Sequence, residues 1–161
     1  MIELLEVGMK IPDETNIIIG QSHFIKTVED LYEAMVHTPQ ARFGLAFNES
    51  SGECLIRSEG NDDELRHAAV HNAQLIGAGH IFVLLIQNAY PINALHAIRN
   101  VPEVCTVFCA TANPVGVGWH KLSRAGVFWE LSMEARRKEW KTRQVSRGAM
   151  NRFASLATSV R

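Results

Sequence analysis

The sequence lacks the features expected of a membrane or secreted protein. None of its apolar runs approaches the ~18 residues that a membrane-spanning helix needs. The N-terminal segment MIELLEVGMK carries acidic side chains and no small-residue cleavage site, unlike a secretory signal peptide. Apolar residues make up 47% of the chain, a share typical of soluble globular domains. We therefore expect a soluble cytoplasmic protein of one domain.

Cysteine is scarce, and the chain has only Cys54, Cys105 and Cys109. Their number is odd and no CxxC pair occurs, which argues against a disulfide framework. Cys105 and Cys109 share a predicted strand, whose rise of ~3.3 Å per residue would place them about 13 Å apart, too far for a disulfide. We expect the cysteines to be buried, reduced thiols, as free cysteines usually are.

Standard motifs of phosphate and metal chemistry are missing. The chain contains no GxxxxGK[ST] loop, no protein-kinase motif set and no HExxH. A phosphotransferase with this sequence would belong to no standard class. His67 and His71 have i, i+4 spacing on a predicted helix, but their charged neighbours Glu64 and Arg66 indicate a solvated face. No metal site is therefore predicted.

The charge of the chain changes abruptly near residue 116. Residues 1–115 carry 6 Lys and Arg against 14 Asp and Glu, a net charge of −8. The remaining residues carry 10 against 3, a net charge of +7, and they contain all three tryptophans, Trp119, Trp129 and Trp140. The formal net charge of −1 hides this difference. The two parts therefore need separate interpretations.

Strands and helices alternate over the first part. Apolar alternation and short apolar runs predict strands at 2–11, 16–20, 42–48, 54–57, 81–86 and 103–110. Helical spacing predicts helices at 24–37, 61–76 and 91–99. Thr27 and Asn61 are expected to cap the first two helices. The run IFVLLI is typical of a central strand buried on both faces. The pattern predicts an α/β fold, a single domain with a mixed β-sheet and helices packed on it.

Polar residues follow four of the predicted strands. The four groups are Gln21, Ser22 and His23; Asn48 and Glu49; Asn88 and Asn93; and Thr111 and Asn113. In open α/β sheets ligands bind beyond the ends of strands, which favours one shared pocket formed by these groups. The alternative is that these residue types only form turns here.

His23 and Lys26 stand three residues apart at the predicted start of the first helix, so they project to the same side. The free backbone N–H groups of a helix start attract phosphate. An imidazole there could act as a general base, or as a nucleophile that accepts a phosphoryl group. The alternative for His23 is a hydrogen-bonded histidine in a turn.

The same part of the chain contains the segments GQSHFIKTVEDLYEA, FGLAFNESSG, EGNDDEL, IGAGHIFV, PINALHAIRNVPEVC and CATANPV. Together these segments resemble the adenosine-specific kinase family of archaea and bacteria. The resemblance covers about residues 1–115. It implies an α/β fold, binding of adenosine nucleotides, a histidine able to carry phosphate, and a homo-trimer or hexamer.

We therefore predict an adenosine- or adenine-nucleotide-binding phosphotransferase that uses ATP or another adenine nucleotide. His23 is expected to act as base or phosphate acceptor, and Lys26 to stabilise the charge of the transferred phosphate. The predicted nucleotide-binding residues are Gln21, Ser22, Asn48, Glu49, Asn93, Thr111 and Asn113. Glu49 could instead hold Mg²⁺ together with the phosphates. The alternatives are a sensor that binds an adenine nucleotide without turnover and an inactive product. No membrane or nucleic-acid partner is expected.

The chain departs from the family after Val115. Family members usually continue with a valine-rich strand and segments like GRGVLGVVDG and SPxGVE, whereas this chain continues GVGWHKLSRAGVFWELSMEARRKEW. If one T was lost at codon 118, the restored frame can read GRGVLGIVDG and SPKGVE. We therefore hypothesise that 116–161 is a non-family tail produced by a frameshift. The alternative is a real extension with a function such as nucleic-acid binding, and the nucleotide sequence around codon 118 decides between them.

Overall fold

The computed structural model describes residues 3–121 and 126–133, and the surroundings of side chains over residues 6–118. The described elements follow one another in the order β1 (Glu3–Gly8), β2 (Asn16–Ser22), α1 (Thr27–Val36), β3 (Arg42–Asn48), β4 (Ile56–Gly60), α2 (Asp63–Ile76), β5 (Ile81–Gln87), α3 (Pro91–Arg99), β6 (Val104–Thr111), β7 (Val115–Lys121) and β8 (Gly126–Met133). No helix among these is long and apolar enough to cross a membrane.

The strands form two antiparallel sheets. The larger sheet has the order β4-β3-β5-β2-β6, and the smaller has the order β1-β7-β8. The α/β class and the packing of helices on a sheet are confirmed, but every strand pair in the described residues is antiparallel, so the sheet is not mixed in direction. Each helix joins two strands that run in the same direction, and an antiparallel strand from elsewhere in the chain lies between them.

The larger sheet carries a core on each face. One face packs against α1 and α3 through residues such as Leu31, Met35 and Ile98. The other packs against α2 and the strands β1 and β7, through residues such as Leu65 and Val117. The molecule therefore has three layers, with the larger sheet in the middle.

The central position of β5 follows from its sequence. All six residues of IFVLLI are at most 3% exposed, and the strand pairs with β2 on one side and β3 on the other. Phe82 and Leu84 face the layer of α1 and α3, whereas Val83 and Leu85 face the layer of α2. The prediction of a central strand buried on both faces is confirmed.

The starts of the first two helices differ from the predictions. Lys26 is the N-cap residue of α1 and makes no side-chain capping bond, whereas the hydroxyl of Thr27 donates to the carbonyl oxygen of Phe24 at 2.7 Å. Asp62, not Asn61, caps α2, because Asp62 is the last extended residue and accepts from the backbone N–H of Leu65 at 2.9 Å. Both predicted caps are therefore wrong by one residue.

The side chain of Asn61 binds the backbone at the start of β3 instead. Its oxygen accepts from the backbone N–H of Phe43 at 2.7 Å, and its nitrogen donates to the carbonyl of Ala41 at 2.8 Å. These two bonds tie the turn before α2 to the strand that α2 covers. Asn61 and the N-cap residue Asp62 therefore both fix the start of α2: Asp62 binds the helix itself, and Asn61 binds the neighbouring strand.

The predicted boundary between 115 and 116 falls inside a strand. β7 begins at Val115, pairs with β1 and buries both Val115 and Val117 in the core. The tail therefore supplies part of the smaller sheet as far as Met133, while residues 134–161 lie outside the described residues. The frameshift itself stays a prediction.

The cysteines are all free, but only Cys109 is buried. Burial raises the pKa of the Cys109 thiol to about 11. Cys54 is exposed because it lies in the turn between β3 and β4, and Cys105 is exposed because β6 is an edge strand. The expectation of buried thiols is wrong for these two.

The fold predicts a large cost for adding one methyl group at Gly44. A Cβ there would lie 2.1 Å from the backbone nitrogen of Arg66 and 2.1 Å from the carbonyl carbon of Leu65, because β3 and α2 meet backbone to backbone. Gly44→Ala should lower the free energy of unfolding by roughly 1–3 kcal/mol or more. Chemical denaturation measures this, with Gly8→Ala as the control, since a Cβ at Gly8 meets nothing within 4 Å. Equal stability of the two variants would contradict the close approach.

The capping carboxylate makes stability depend on pH. The backbone N–H of Leu65, together with the guanidinium of Arg42, lowers the pKa of Asp62. A lowered folded-state pKa contributes stability at neutral pH that is lost as the pH falls through that pKa. Asp62→Ala should therefore cost about 1 kcal/mol at pH 7, and the difference from the parent should shrink below about pH 4. Denaturation at both pH values tests this, with Glu64→Ala as the control. A difference independent of pH would contradict the role of the charge.

Candidate functional site

Three chain segments meet at the end of the larger sheet where β2 and β3 finish. Both strands run antiparallel to β5, so their last residues lie beside its first. The backbone N–H of Ser22 donates to the carbonyl of His80 at 2.9 Å, and the N–H of His80 donates to the carbonyl of Asn48 at 2.8 Å. This seam places His23, Glu49 and His80 around one space.

That space is a cleft of about 420 Å³, which we term the histidine cleft. It is lined by His23, Phe24, Ile25, Phe47, Glu49, Ser50, Ser51 and His80. The lining combines two imidazoles, a carboxylate and two hydroxyls with an apolar wall. Its size and composition fit a small polar organic ligand.

The loop that carries His23 is strained but tightly held. Phe24 has a φ of 132°, a conformation that a bulky side chain rarely adopts. The backbone N–H of His23 donates to the carbonyl of Glu103 at 2.9 Å, and both the hydroxyl and the N–H of Thr27 donate to the carbonyl of Phe24. The guanidinium of Arg57 donates to the carbonyl of Ile25 at 3.2 Å. Strain that the surroundings maintain in this way is typical of functional sites.

His80 has a second strained backbone in the same cleft, with a φ of 66°. Sequence reasoning did not single out this residue, which lies between the helix predicted at 61–76 and the strand predicted at 81–86. Gly77 does end α2 in a left-handed conformation. His80 stands directly before the apolar run IFVLLI, which was visible in the sequence. This position indicates a site residue only once it is known that β5 starts where β2 and β3 end.

Glu49 is the carboxylate of the histidine cleft. One of its oxygens accepts a hydrogen bond from the hydroxyl of Ser51 at 3.1 Å. Over the described part of the chain, no three His, Cys, Asp or Glu side chains come together as a metal-binding group. A single carboxylate suits a Mg²⁺ ion held mainly by substrate phosphates and water.

Lys26 lies beside the histidine cleft and is not part of its lining. Its ammonium pairs with the carboxylate of Asp30 at 3.2 Å. The hydrogen bond that the ammonium donates to Asp30, and then the charge of that carboxylate, raise the pKa of Lys26. The first turn of α1 also carries Glu29, which pairs with Arg57. The start of α1 therefore carries one ammonium and two carboxylates. The carboxylates repel a phosphate and so weaken the attraction that the N-terminal end of a helix exerts on an anion.

Asn48 has a structural position. Its side chain is buried, and its amide nitrogen donates to the carbonyls of Ala73 and Ala78 at 2.9 Å each. These bonds fix the end of α2 and the following turn to β3. Of the two other predicted residues at this end, Gln21 is exposed on β2. The hydroxyl of Ser22 is buried and has no hydrogen-bond partner among the described residues.

The remaining predicted residues lie at the opposite end of the sheet. β5 and β6 run antiparallel to β2, so Thr111 pairs with Ile17, about 20 Å from His23 at the usual rise per residue. Asn93 accepts from the backbone N–H of Tyr90 at the start of α3, and Thr111 accepts from the N–H of Asn113 at 3.0 Å. The expected shared pocket is therefore split in two, since an antiparallel sheet sends alternate strand ends in opposite directions.

A second cleft adjoins the first, with a volume of about 570 Å³, and we term it the helix-end cleft. It shares Glu49 and Ser50 with the histidine cleft. Its other walls are Asn48, the last turn of α2 with Gln74, the turn at 77–79, and Cys54 with Ile56. The two clefts lie on opposite faces of the larger sheet, since Phe47 of the first belongs to the core under α1 and α3, whereas Ala73 and Ile56 of the second belong to the core under α2.

Comparison with known proteins agrees with this architecture. A sequence model of the adenosine-specific kinase family matches residues 7–126. The structure is similar to the crystal structure of the PH1918 protein from Pyrococcus horikoshii OT3, with 33% sequence identity and a TM-score of 0.83, over 99% of this chain and 97% of that chain. No functionally curated protein matches.

The position of Asn48 predicts a loss of stability when its amide is removed. Asn48→Ala leaves the carbonyls of Ala73 and Ala78 without their buried donor, and an unsatisfied buried group costs about 1–3 kcal/mol. Thermal or chemical unfolding should show a loss of that size. The control is Gln21→Ala, an exposed residue predicted for the same site. If Asn48→Ala weakened nucleotide binding but left the stability unchanged, Asn48 would be a ligand-binding residue.

Proposed function

Because this chain belongs to the adenosine-specific kinase family, we propose that it transfers a phosphoryl group between an adenine nucleotide and an adenosine-type nucleoside in the histidine cleft. The observation that supports this most is the position of His23, which faces the cleft on a strained and firmly held loop. Beside it lie a second imidazole, that of His80, and the carboxylate of Glu49. These are the groups that proton and phosphoryl transfer require.

His23 has two alternative roles in this reaction. As a general base, its imidazole takes the proton of the attacking hydroxyl while the P–O bond to the leaving nucleotide breaks. As a nucleophile, its nitrogen lone pair forms an N–P bond while the same P–O bond breaks, and the nucleoside hydroxyl then displaces the imidazole. The second route passes through an acid-labile phosphohistidine, which distinguishes it from the first.

Lys26 is proposed to stabilise the charge of the transferred phosphoryl group. Its ion pair with Asp30 is on the surface, with a Lys26 side chain 60% exposed. Exposed pairs of this kind contribute little to stability, so exchange of Asp30 for a phosphate costs little. Lys26 lies three residues from His23 on the same loop, which keeps it within reach.

The phosphate donor is proposed to be ATP or another adenine nucleotide, with Mg²⁺ as an accompanying ion. Glu49 is the residue that would hold such an ion, since Mg²⁺ prefers oxygen ligands and commonly uses one carboxylate with the substrate phosphates. The ion would neutralise charge on the phosphates. His23 and Glu49 would keep their places without it, because main-chain bonds fix both segments.

A sensor that binds an adenine nucleotide without turnover is the alternative. Two observations favour it: the chain has none of the standard kinase motifs, and Lys26 is paired with Asp30 outside the cleft. An inactive product follows only if the altered tail removes a part of the site. In either case His23 would contribute to binding at most.

We also propose, on family membership alone, that the chain assembles as a homo-trimer or hexamer. Light scattering at several protein concentrations gives the mass directly. A monomer at all concentrations would contradict this assembly.

Replacing His23 separates the enzyme from the sensor. His23→Ala should reduce phosphoryl transfer to adenosine by about 10²–10⁴-fold, the usual contribution of a proton-transferring or nucleophilic residue, with adenosine affinity changed only a few-fold. The matched control is His67→Ala, because His67 is exposed on α2 outside both clefts. Turnover that survives in His23→Ala would contradict the proposed role. Binding by the parent protein without any turnover would favour the sensor.

A further inference from the structure

We infer that a third cleft binds a guanidinium group, and that its occupant is the arginine pair Arg136 and Arg137 of this same chain. The cleft has a volume of about 640 Å³ and lies at the end of the larger sheet opposite the histidine cleft, between the segment that follows β1 and the turn before β7. We term it the acidic cleft. The inference does not rest on the proposed function, and it concerns the chain as it stands, whatever the origin of its tail.

The acidic cleft has carboxylates and no cationic side chain in its described lining. Asp13 and Glu14 both line it and are exposed, and over the described part of the chain neither carboxylate has an ion pair. Lys10 belongs to the same segment but lies outside the lining. The carbonyl oxygen of Asp13 accepts from the side chains of Thr15 and Gln87 at 3.1 Å each, which fixes this segment. Two carboxylates are therefore held in a defined place.

A nearly buried amide provides a third acceptor. Asn16 lines the acidic cleft and is only 7% exposed. Its amide nitrogen donates to the carbonyl of Ala89 at 3.1 Å, and its amide oxygen accepts no hydrogen bond from a described residue. An acceptor at such a depth is unfavourable without a donor opposite it. The cleft therefore favours a ligand with several N–H donors.

A guanidinium matches this set of groups better than an ammonium. It carries five N–H donors in a fixed plane and no acceptor, so it can bind a carboxylate in bidentate fashion and an amide oxygen at the same time. The ring of Tyr90, which is 71% exposed, lies in the same lining. Guanidinium planes stack on such rings, whereas an ammonium acts as a compact point charge.

The course of the chain leads to this cleft. β8 runs antiparallel to β7, so its last residue, Met133, pairs with Val115, which directly follows the lining residue Pro114. The end of β1 lies at the same place, because the backbone N–H of Met9 donates to the carbonyl of Val115 at 2.8 Å. Residues that follow Met133 therefore start beside the acidic cleft.

The segment after Met133 has the complementary charge. Residues 134–161 carry 8 Lys and Arg against 2 Glu, a net charge of +6. Arg136 and Arg137 are its first cations, and the three or four residues that separate them from Met133 span up to about 10–14 Å. A tethered ligand acts at a high effective concentration. Arginines of the same chain therefore compete well against those of another molecule.

Zero-length cross-linking tests the occupant. In the full-length protein a carbodiimide should join the ammonium of Lys138 to the carboxylate of Asp13 or Glu14, and mass spectrometry should find the linked peptides in the monomer. Arg136→Gln/Arg137→Gln should lower the yield about five- to tenfold, because it keeps the reacting groups and removes the anchors. The matched control is Arg143→Gln/Arg147→Gln, which removes the same charge farther along the tail and should leave the yield unchanged.

A peptide added in solution tests the cleft itself. N-acetyl-Arg-Arg-amide should bind Arg136→Gln/Arg137→Gln, with a shift of the Tyr90 ring resonances in NMR spectra, and it should bind the parent more weakly because the cleft is already filled. Further substitution by Asp13→Asn and Glu14→Gln should abolish this shift. The internal control is Tyr32, the other tyrosine, whose ring packs against Phe43 in the core.

Each outcome decides for or against the inference. A monomer cross-link that depends on the arginine pair, together with binding of the peptide, supports it. Linked peptides found only in a product of dimer mass would mean that the arginines come from a second copy, which overturns the intrachain occupant. An unchanged yield in Arg136→Gln/Arg137→Gln, or a peptide that does not shift Tyr90, overturns the guanidinium site. None of these measurements involves phosphoryl transfer, so the proposed function stands or fails separately.

Discussion

The main chain of His80 connects the parts of the site. It accepts a hydrogen bond from the end of β2 and donates one to the end of β3. Because β5 starts at the next residue and is buried on both faces, a central strand of the larger sheet fixes this seam. The groups that line the histidine cleft come from residues distant in the sequence, and only this junction brings them together. Without it, the segments after β2 and β3 would be ordinary surface loops.

The helix α2 extends this arrangement to the neighbouring cleft. Asn48 ties the carbonyl groups at the end of α2 to β3, and the turn that follows leads directly to His80. The wall between the two clefts is therefore held by the buried amide of Asn48 together with the main-chain bond from His80 to the carbonyl of Asn48. Their chemistry differs because imidazoles line one, whereas the carboxyl end of a helix forms the other.

Local features of the fold were predictable from the sequence, and the strand order was not. The burial of β5 followed from its apolar run, and the extent of α3 followed from helical spacing. The order of strands depends on long-range pairing that no local pattern encodes. The prediction therefore placed Thr111 with His23, although antiparallel pairing puts them at opposite ends.

The candidate site was predictable to a similar degree. His23 and Glu49 were identified because each follows an apolar strand, and both line the cleft. His80 was missed because it precedes a strand, and the start of a strand matters only once the strand is known to be antiparallel. Asn48 also lies at this end of the sheet, and its amide nitrogen binds the backbone at the end of α2, while its predicted nucleotide-binding role stays a prediction. A sequence shows which side chains are polar, but it does not show which of them already have partners.

The backbone contact at Gly44 has a consequence for how the site can move. With no side chain between them, β3 and α2 cannot slide without a backbone collision, so they form one rigid wall. On the opposite side, the loop at 23–26 has two exposed apolar side chains, those of Phe24 and Ile25, and is held by a few hydrogen bonds. Both sides of the histidine cleft are therefore held in place, one by the backbone contact at Gly44 and the other by the hydrogen bonds of the loop, so a ligand meets a site whose shape is already set.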